Sequence, residues 1–323
     1  MTRQQLERNQ VWFYLVAILA GLAAGAAAPA LSPLLEAVLW PALGLLLYTT
    51  FTQVPLTHLP EAFRDRRFMG AVLAGNFLIV PLAVWALLAL APPDPVVRLG
   101  ILLVLLVPCT DWFITFTHLA RGDTARAIAI TPVILLVQIA LLPLYLWLFM
   151  GETFAEILAA DPILTVFVLL IVLPLIAAFL TERWAESGQG REAVTAQLAW
   201  LPVPLLALVV FLIAGSQVQT VAGALPVLGQ VLAVFAGYLL AAALIGACLA
   251  RLLGLEAEPA RTLIFSLGTR NSFVVLPLAL ALPPSWQAAT VVIVFQSLVE
   301  LFGMVAYLWA VPRFLVPADR KAA

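Results

Sequence analysis

Apolar stretches of about 20 residues, the length that crosses a bilayer as a helix, recur along the chain between short polar or proline-rich joints. The pattern predicts helices over 11–28, 34–57, 69–92, 97–120, 124–149, 161–182, 195–217, 228–252, 260–282 and 286–312. The expected fold is an all-α membrane protein of ten transmembrane helices, since lipid offers no partner to a free backbone group. Pro29 to Pro33, Pro92-Pro93-Asp94-Pro95, Ser187-Gly188-Gln189-Gly190 and Pro283-Pro284 mark joints. Spans 4 and 9 are interrupted. Leu106–Phe113 reads LVPCTDWF, a helix broken at Pro108 and followed by Cys109, Thr110 and Asp111. The second break is Gly268-Thr269-Arg270-Asn271-Ser272.

A shift of 162 positions lays the first break on the second: 109 + 162 puts Cys109 on Asn271, and Thr110 falls on Ser272. The same shift carries Tyr145-Leu146-Trp147 onto Tyr307-Leu308-Trp309 and Gln138 onto Glu300. Two five-helix repeats, 1–160 and 161–323, follow within one integrated membrane domain. An odd number of spans per repeat makes the copies inverted. Interrupted helices at matching places in two halves point to a transporter's substrate site.

Composition agrees: 64% of residues are hydrophobic and 10% charged, and mean hydropathy is +1.11. Soluble domains carry about 25% charge. The net charge of −1 says little about partners beyond arguing against nucleic acid, which calls for clustered Lys and Arg. Ten spans sort Arg3, Arg8, Arg64, Arg66, Arg67, Arg121, Arg126, Arg183, Arg191, Arg251, Arg261, Arg313, Arg320 and Lys321 to one side, leaving Arg98 opposite and Arg270 inside a span. That side is cytoplasmic and holds both termini, as in an integral protein of the plasma (inner) membrane. Residues 1–30 resemble a cleavable signal, but their loss would leave an odd span count, so they are read as the first span.

Ionisable groups inside a bilayer are costly and mark pathways or pairs. Asp111 and Arg270, one at each break, are placed to neutralise each other, as a structural pair or a gating one. Glu300 lies mid-span, as a hydrogen-bonded carboxyl or a proton carrier. Cys109 is a soft ligand suited to a thiophilic solute. Asp123 reads as a helix cap, Asn76 and Gln138 as interhelical hydrogen bonds, Cys248 as packing, His58 and His118 as interfacial, and Gly21–Ala28 as close helix contact. No phosphate loop, metal-spaced His/Cys set or nucleophile–base pair suggests an enzyme, a resident metal or a cofactor. The expected partners are a small-molecule solute, the bilayer and a coupling proton.

At these motifs the chain resembles the bile acid/sodium symporter superfamily, and more closely its arsenite-efflux branch. Pro108-Cys109-Thr110 is similar to the Pro-Cys-Thr of arsenite permeases at the span 4 break. Leu119-Ala120-Arg121-Gly122 is similar to the superfamily's exit from span 4, and Gly268-Thr269-Arg270-Asn271 to its Gly-x-x-Asn in span 9. The resemblance implies crossed helices 4 and 9, a panel of spans 1, 2, 6 and 7, and a core of the others. It also implies departures. Where the sodium-coupled branch holds two ions, this chain has Phe113-Ile114, Ser266 and Arg270, with only Thr131 kept. Phe and Ile offer no oxygen, and a guanidinium repels the ion. The arsenite branch's span 9 glutamate falls at Val274, leaving Asp111 or Glu300 to carry a proton.

The reading is a sodium-independent secondary transporter of arsenite or antimonite, with Cys109, Thr110, Asn271, Ser272 and Arg270 at the substrate and Asp111, Glu300, Thr131 and Gln138 in coupling or gating. The alternative is a sodium-independent carrier of small organic anions, with Arg270 on a carboxylate.

Overall fold

The computed structural model describes residues 5–6, 9–58, 65–152, 165–188 and 191–317. Among them every regular element is helical. In chain order these are α1 (Gln10–Ala27), α2 (Ser32–Phe51), α3 (Arg66–Leu90), α4 (Pro95–Leu105), α5 (Trp112–Leu119) and α6 (Thr124–Met150). There follow α7 (Thr165–Glu186), α8 (Glu192–Leu198), α9 (Pro202–Ser216), α10 (Val218–Leu252), α11 (Ala257–Gly268), α12 (Ser272–Leu280) and α13 (Ala288–Ala310). Eight stretches of the described residues are long and apolar enough to cross a membrane, α8 and α9 counting as one. The two interrupted stretches divide as the breaks foretell, into α4 with α5 and α11 with α12. Arg3, Arg8, Arg64, Arg320, Lys321, positions 161–164 of the sixth predicted span, the 160/161 repeat boundary and the His58 side chain lie outside the described residues.

Two boundaries need correction. The second helix stops at Phe51 rather than near 57, because the chain turns at Thr52 and Gln53 before Pro55. The eighth begins at Val218 rather than 228 and runs 35 residues with Pro226 inside it. One proline removes a single hydrogen bond, and the bonds on either side carry the helix past it.

The chain separates into two compact units, and neither is a sequential half. The first comprises Met1–Gln53, Asp161–Pro226 and Pro277–Val291. Here α1 lies directly on α9. A methyl added at Gly21 would sit 2.3 Å from the Phe211 carbonyl oxygen, and one at Gly25 2.1 Å from that of Gly215. The small-residue run thus serves close backbone approach, as read from the sequence. Tyr48 and Thr181 share a hydroxyl hydrogen bond of 2.9 Å between α2 and α7.

The second unit, Val54–Ala160, Val227–Leu276 and Val292–Ala323, contains both breaks. Along α10, Leu240, Leu244, Cys248 and Leu252 are exposed at a spacing of four. Cys248 therefore faces outward with one apolar stripe, correcting its reading as packing. Asp123 caps α6, its Oδ1 accepting the Arg126 N–H at 3.0 Å. The motif Leu119-Ala120-Arg121-Gly122 closes α5. Gly122 N–H reaches the Thr117 carbonyl and Arg121 N–H that of His118, with Arg121 left-handed at φ 56. Buried Arg261 donates to the Ala120 and Arg121 carbonyls, at 3.4 and 3.2 Å, and holds that turn.

Candidate functional site

Both breaks expose backbone groups that a continuous helix would have satisfied. After α4, Pro108 has no N–H for the preceding turn and its ring disfavours helix at Val107. After α11 no proline intervenes. Thr269 is extended (φ −98, ψ 137), and Gly268 lets α13 approach, since a methyl there would lie 2.5 Å from the Tyr307 ring. The two extended pieces run antiparallel and pair. Asn271 N–H donates to the Val107 carbonyl at 2.7 Å and Cys109 N–H to that of Thr269 at 3.1 Å, with Pro108 opposite Arg270. Adding 162 to the residues of one bond, or subtracting it, gives the other bond. The same holds further out. The Tyr145 hydroxyl donates to the Phe77 carbonyl and that of Tyr307 to the Leu239 carbonyl, each partner 162 positions from its counterpart.

Arg270 is 1% exposed. Its Nη2 donates to Asn76 Oδ1 at 2.7 Å, the Leu267 carbonyl at 2.8 Å and the Ser266 carbonyl at 3.1 Å, and Nη1 to the Leu105 carbonyl at 3.4 Å. Leu105 ends α4, and Ser266 and Leu267 lie in the last turn of α11. The guanidinium thus sits where the negative ends of two half-helices converge, with the Tyr238 ring 5.4 Å from its carbon. The expected ion pair with Asp111 is absent among the described residues. The arginine is drawn to these carbonyls, while Asp111 Oδ1 accepts the Cys109 thiol at 2.9 Å.

Glu300 receives the backbone N–H of Arg270 on Oε2 at 2.9 Å, and Gln296 Nε2 on the same oxygen at 2.6 Å. Gln296 Oε1 in turn accepts the Ser272 hydroxyl at 2.7 Å. Glu300 Oε1 is buried without a partner. On the other side of the crossing Asn271 Nδ2 donates to Thr110 Oγ1 at 3.4 Å. Cys109, Thr110, Asn271 and Ser272 are all buried. The structure therefore gathers Cys109, Thr110, Asp111, Arg270, Asn271, Ser272 and Glu300 at one crossing.

Two predicted residues stand differently. Thr131 turns its hydroxyl back to the Ala127 carbonyl of its own helix at 2.7 Å. Gln138, expected to bond between helices, is buried with both amide atoms unpartnered. The shift explains why: Glu300 takes the N–H of residue 270 and the amide of Gln296, but the matching positions hold Pro108, which has no N–H, and Ile134. Sequence reasoning placed Ser266 only as the counterpart of a sodium ligand, and missed Gln296 and Tyr238 as members of the site. Gln296 lies one helical turn before Glu300, a spacing that puts both on one face. Tyr238 is the 162-shifted counterpart of Asn76, and both meet Arg270.

A helical membrane protein with two broken segments crossing on their own backbone has the build of a transporter. Comparison agrees: the model of the sodium bile acid symporter family matches residues 40–224, over half the chain. The chain belongs to the sodium bile acid symporter family, whose members are membrane transporters. The match includes the first break and ends before the second. None of the curated proteins matches the chain.

Proposed function

We propose that the protein is a sodium-independent, proton-coupled exporter of arsenite or antimonite, built as two inverted five-helix repeats and seated in the plasma membrane with both termini cytoplasmic. The observation that carries sodium independence is the engagement of Arg270. Half-helix C-termini and unwound carbonyls are where transporters of this build hold sodium. Here three such oxygens, with the Asn76 amide oxygen, bind a guanidinium that cannot lose its charge. Buried Phe113 offers no ligand, so the donor set does not fit a hard cation. The repeat reading is supported by the paired hydrogen bonds that recur at the 162 shift.

Arsenous acid is neutral at pH 7, carries hydroxyls and is thiophilic. Cys109 supplies sulfur at the break, and Thr110, Asn271 and Ser272 supply hydrogen bonds. The carboxylate alternative asks Arg270 to bind substrate, but its terminal nitrogens are already engaged and only Nε is unbound. Expression in an arsenite-sensitive host tests the reading. The wild type restores growth on arsenite, and Cys109→Ser loses most of that protection at equal membrane abundance. Full protection by Cys109→Ser removes the thiol from the mechanism; no protection by the wild type removes the substrate.

A further inference from the structure

Hydrogen bonds around Glu300 form a directed chain. The Ser272 hydroxyl donates to Gln296 Oε1, the Gln296 amide donates to Glu300 Oε2, and the Arg270 N–H donates to the same oxygen. Every donor points toward the carboxyl, so Ser272 Oγ has its proton committed inward and its lone pairs free. With Oε2 saturated, Oε1 is the oxygen left to take a proton, and it is buried and unpartnered. Gln296 is the only link in this chain between Ser272 and the carboxyl, and it is itself 2% exposed.

We propose that Gln296 is the positioning residue that makes solute and proton compete, by relaying the state of the Glu300 carboxyl to a hydroxyl-accepting site on Ser272 Oγ. This deepens the proton-coupled reading above and rests on it. With Glu300 ionised, the chain is polarised toward the negative end, and Ser272 Oγ is strengthened as an acceptor for a solute O–H. A proton from water bonds to Oε1 and makes the carboxyl neutral. The charge that strengthened each link is gone, the acceptor weakens and the solute leaves. The same bond breaks to return the proton to water, and nothing is oxidised or reduced. Such a relay selects an uncharged, hydroxylated solute over an anion. The other groups acting on Glu300 are Arg270 and Asp111 at the breaks, Cys109 beside them, Tyr238 on α10 and Tyr307 on α13.

Infrared titration of the purified full chain, without solute, tests the relay. The wild type shows a protonatable carboxyl band that Glu300→Gln removes. Gln296→Leu moves its midpoint by about tenfold in proton concentration, the equivalent of one hydrogen bond to a charged group. Ser272→Ala moves it the same way by less, and Ser272→Thr restores it, which keeps the test decisive if Gln296→Leu does not fold. A midpoint unchanged in Ser272→Ala, or no band that depends on Glu300, overturns the proposal. In a second arm, arsenite affinity varies with pH in the wild type and is flat in Gln296→Leu. No arsenite binding at any pH, with the infrared shifts intact, overturns the arsenite reading and leaves the relay standing.

Discussion

A guanidinium kept away from water needs acceptors for its fixed donors, and Arg270 finds them in an amide and three main-chain carbonyls rather than in a carboxylate. The sequence displays the charge and the break beside it. It does not display the direction of the side chain, because Leu105, Ser266 and Leu267 act through backbone oxygens that any residue supplies. The expected pairing with Asp111 fails for that reason. Gln138 is the opposite case, an amide whose partners are missing. An unsatisfied buried amide costs about 1–3 kcal/mol, so Gln138→Leu should raise the melting temperature in detergent by a corresponding stabilisation. A lower melting temperature would show that Gln138 has a partner in solution.

Among elements, the breaks are legible in one case and half-legible in the other. Pro108 announces the end of α4 from its chemistry alone. The end of α11 has no proline, and what marks it is the extended Thr269 paired with the other break, with the Tyr307 ring close against Gly268. Gly268→Ala should destabilise the protein by about 1–3 kcal/mol through overpacking, read as a drop in thermal midpoint; an unchanged midpoint would show that the ring yields freely. At the end of α5 the left-handed Arg121 is strained where glycine would not be. Arg121→Gly should therefore stabilise by about 0.5–1 kcal/mol, read as a rise in the same melt; an unchanged or lower midpoint would contradict it.

On the scale of the whole molecule, hydropathy carries the all-helical membrane architecture, since every span must be apolar, and the half-chain shift anticipates the hydrogen bonds that correspond at the crossing. The division into compact units is less visible, because each unit gathers segments from both halves. The observed span edges depart from the hydropathy pattern at Phe51, where a turn ends the helix early, and at Val218, where the helix continues through Pro226. Tyr145 and Tyr307 make hydroxyl-to-carbonyl bonds that correspond at the 162 shift. Tyr145→Phe and Tyr307→Phe should thus each destabilise by about 0.5–1.5 kcal/mol, and melts that separate the two widely would count against equivalence.

The central claim is that this transporter carries its own cation at the crossing. Arsenite accumulation in everted membrane vesicles, energised by a pH gradient, tests it when all sodium is replaced by choline. The account predicts the same initial rate in both media, whereas a rate that collapses in choline and returns with added sodium would contradict it.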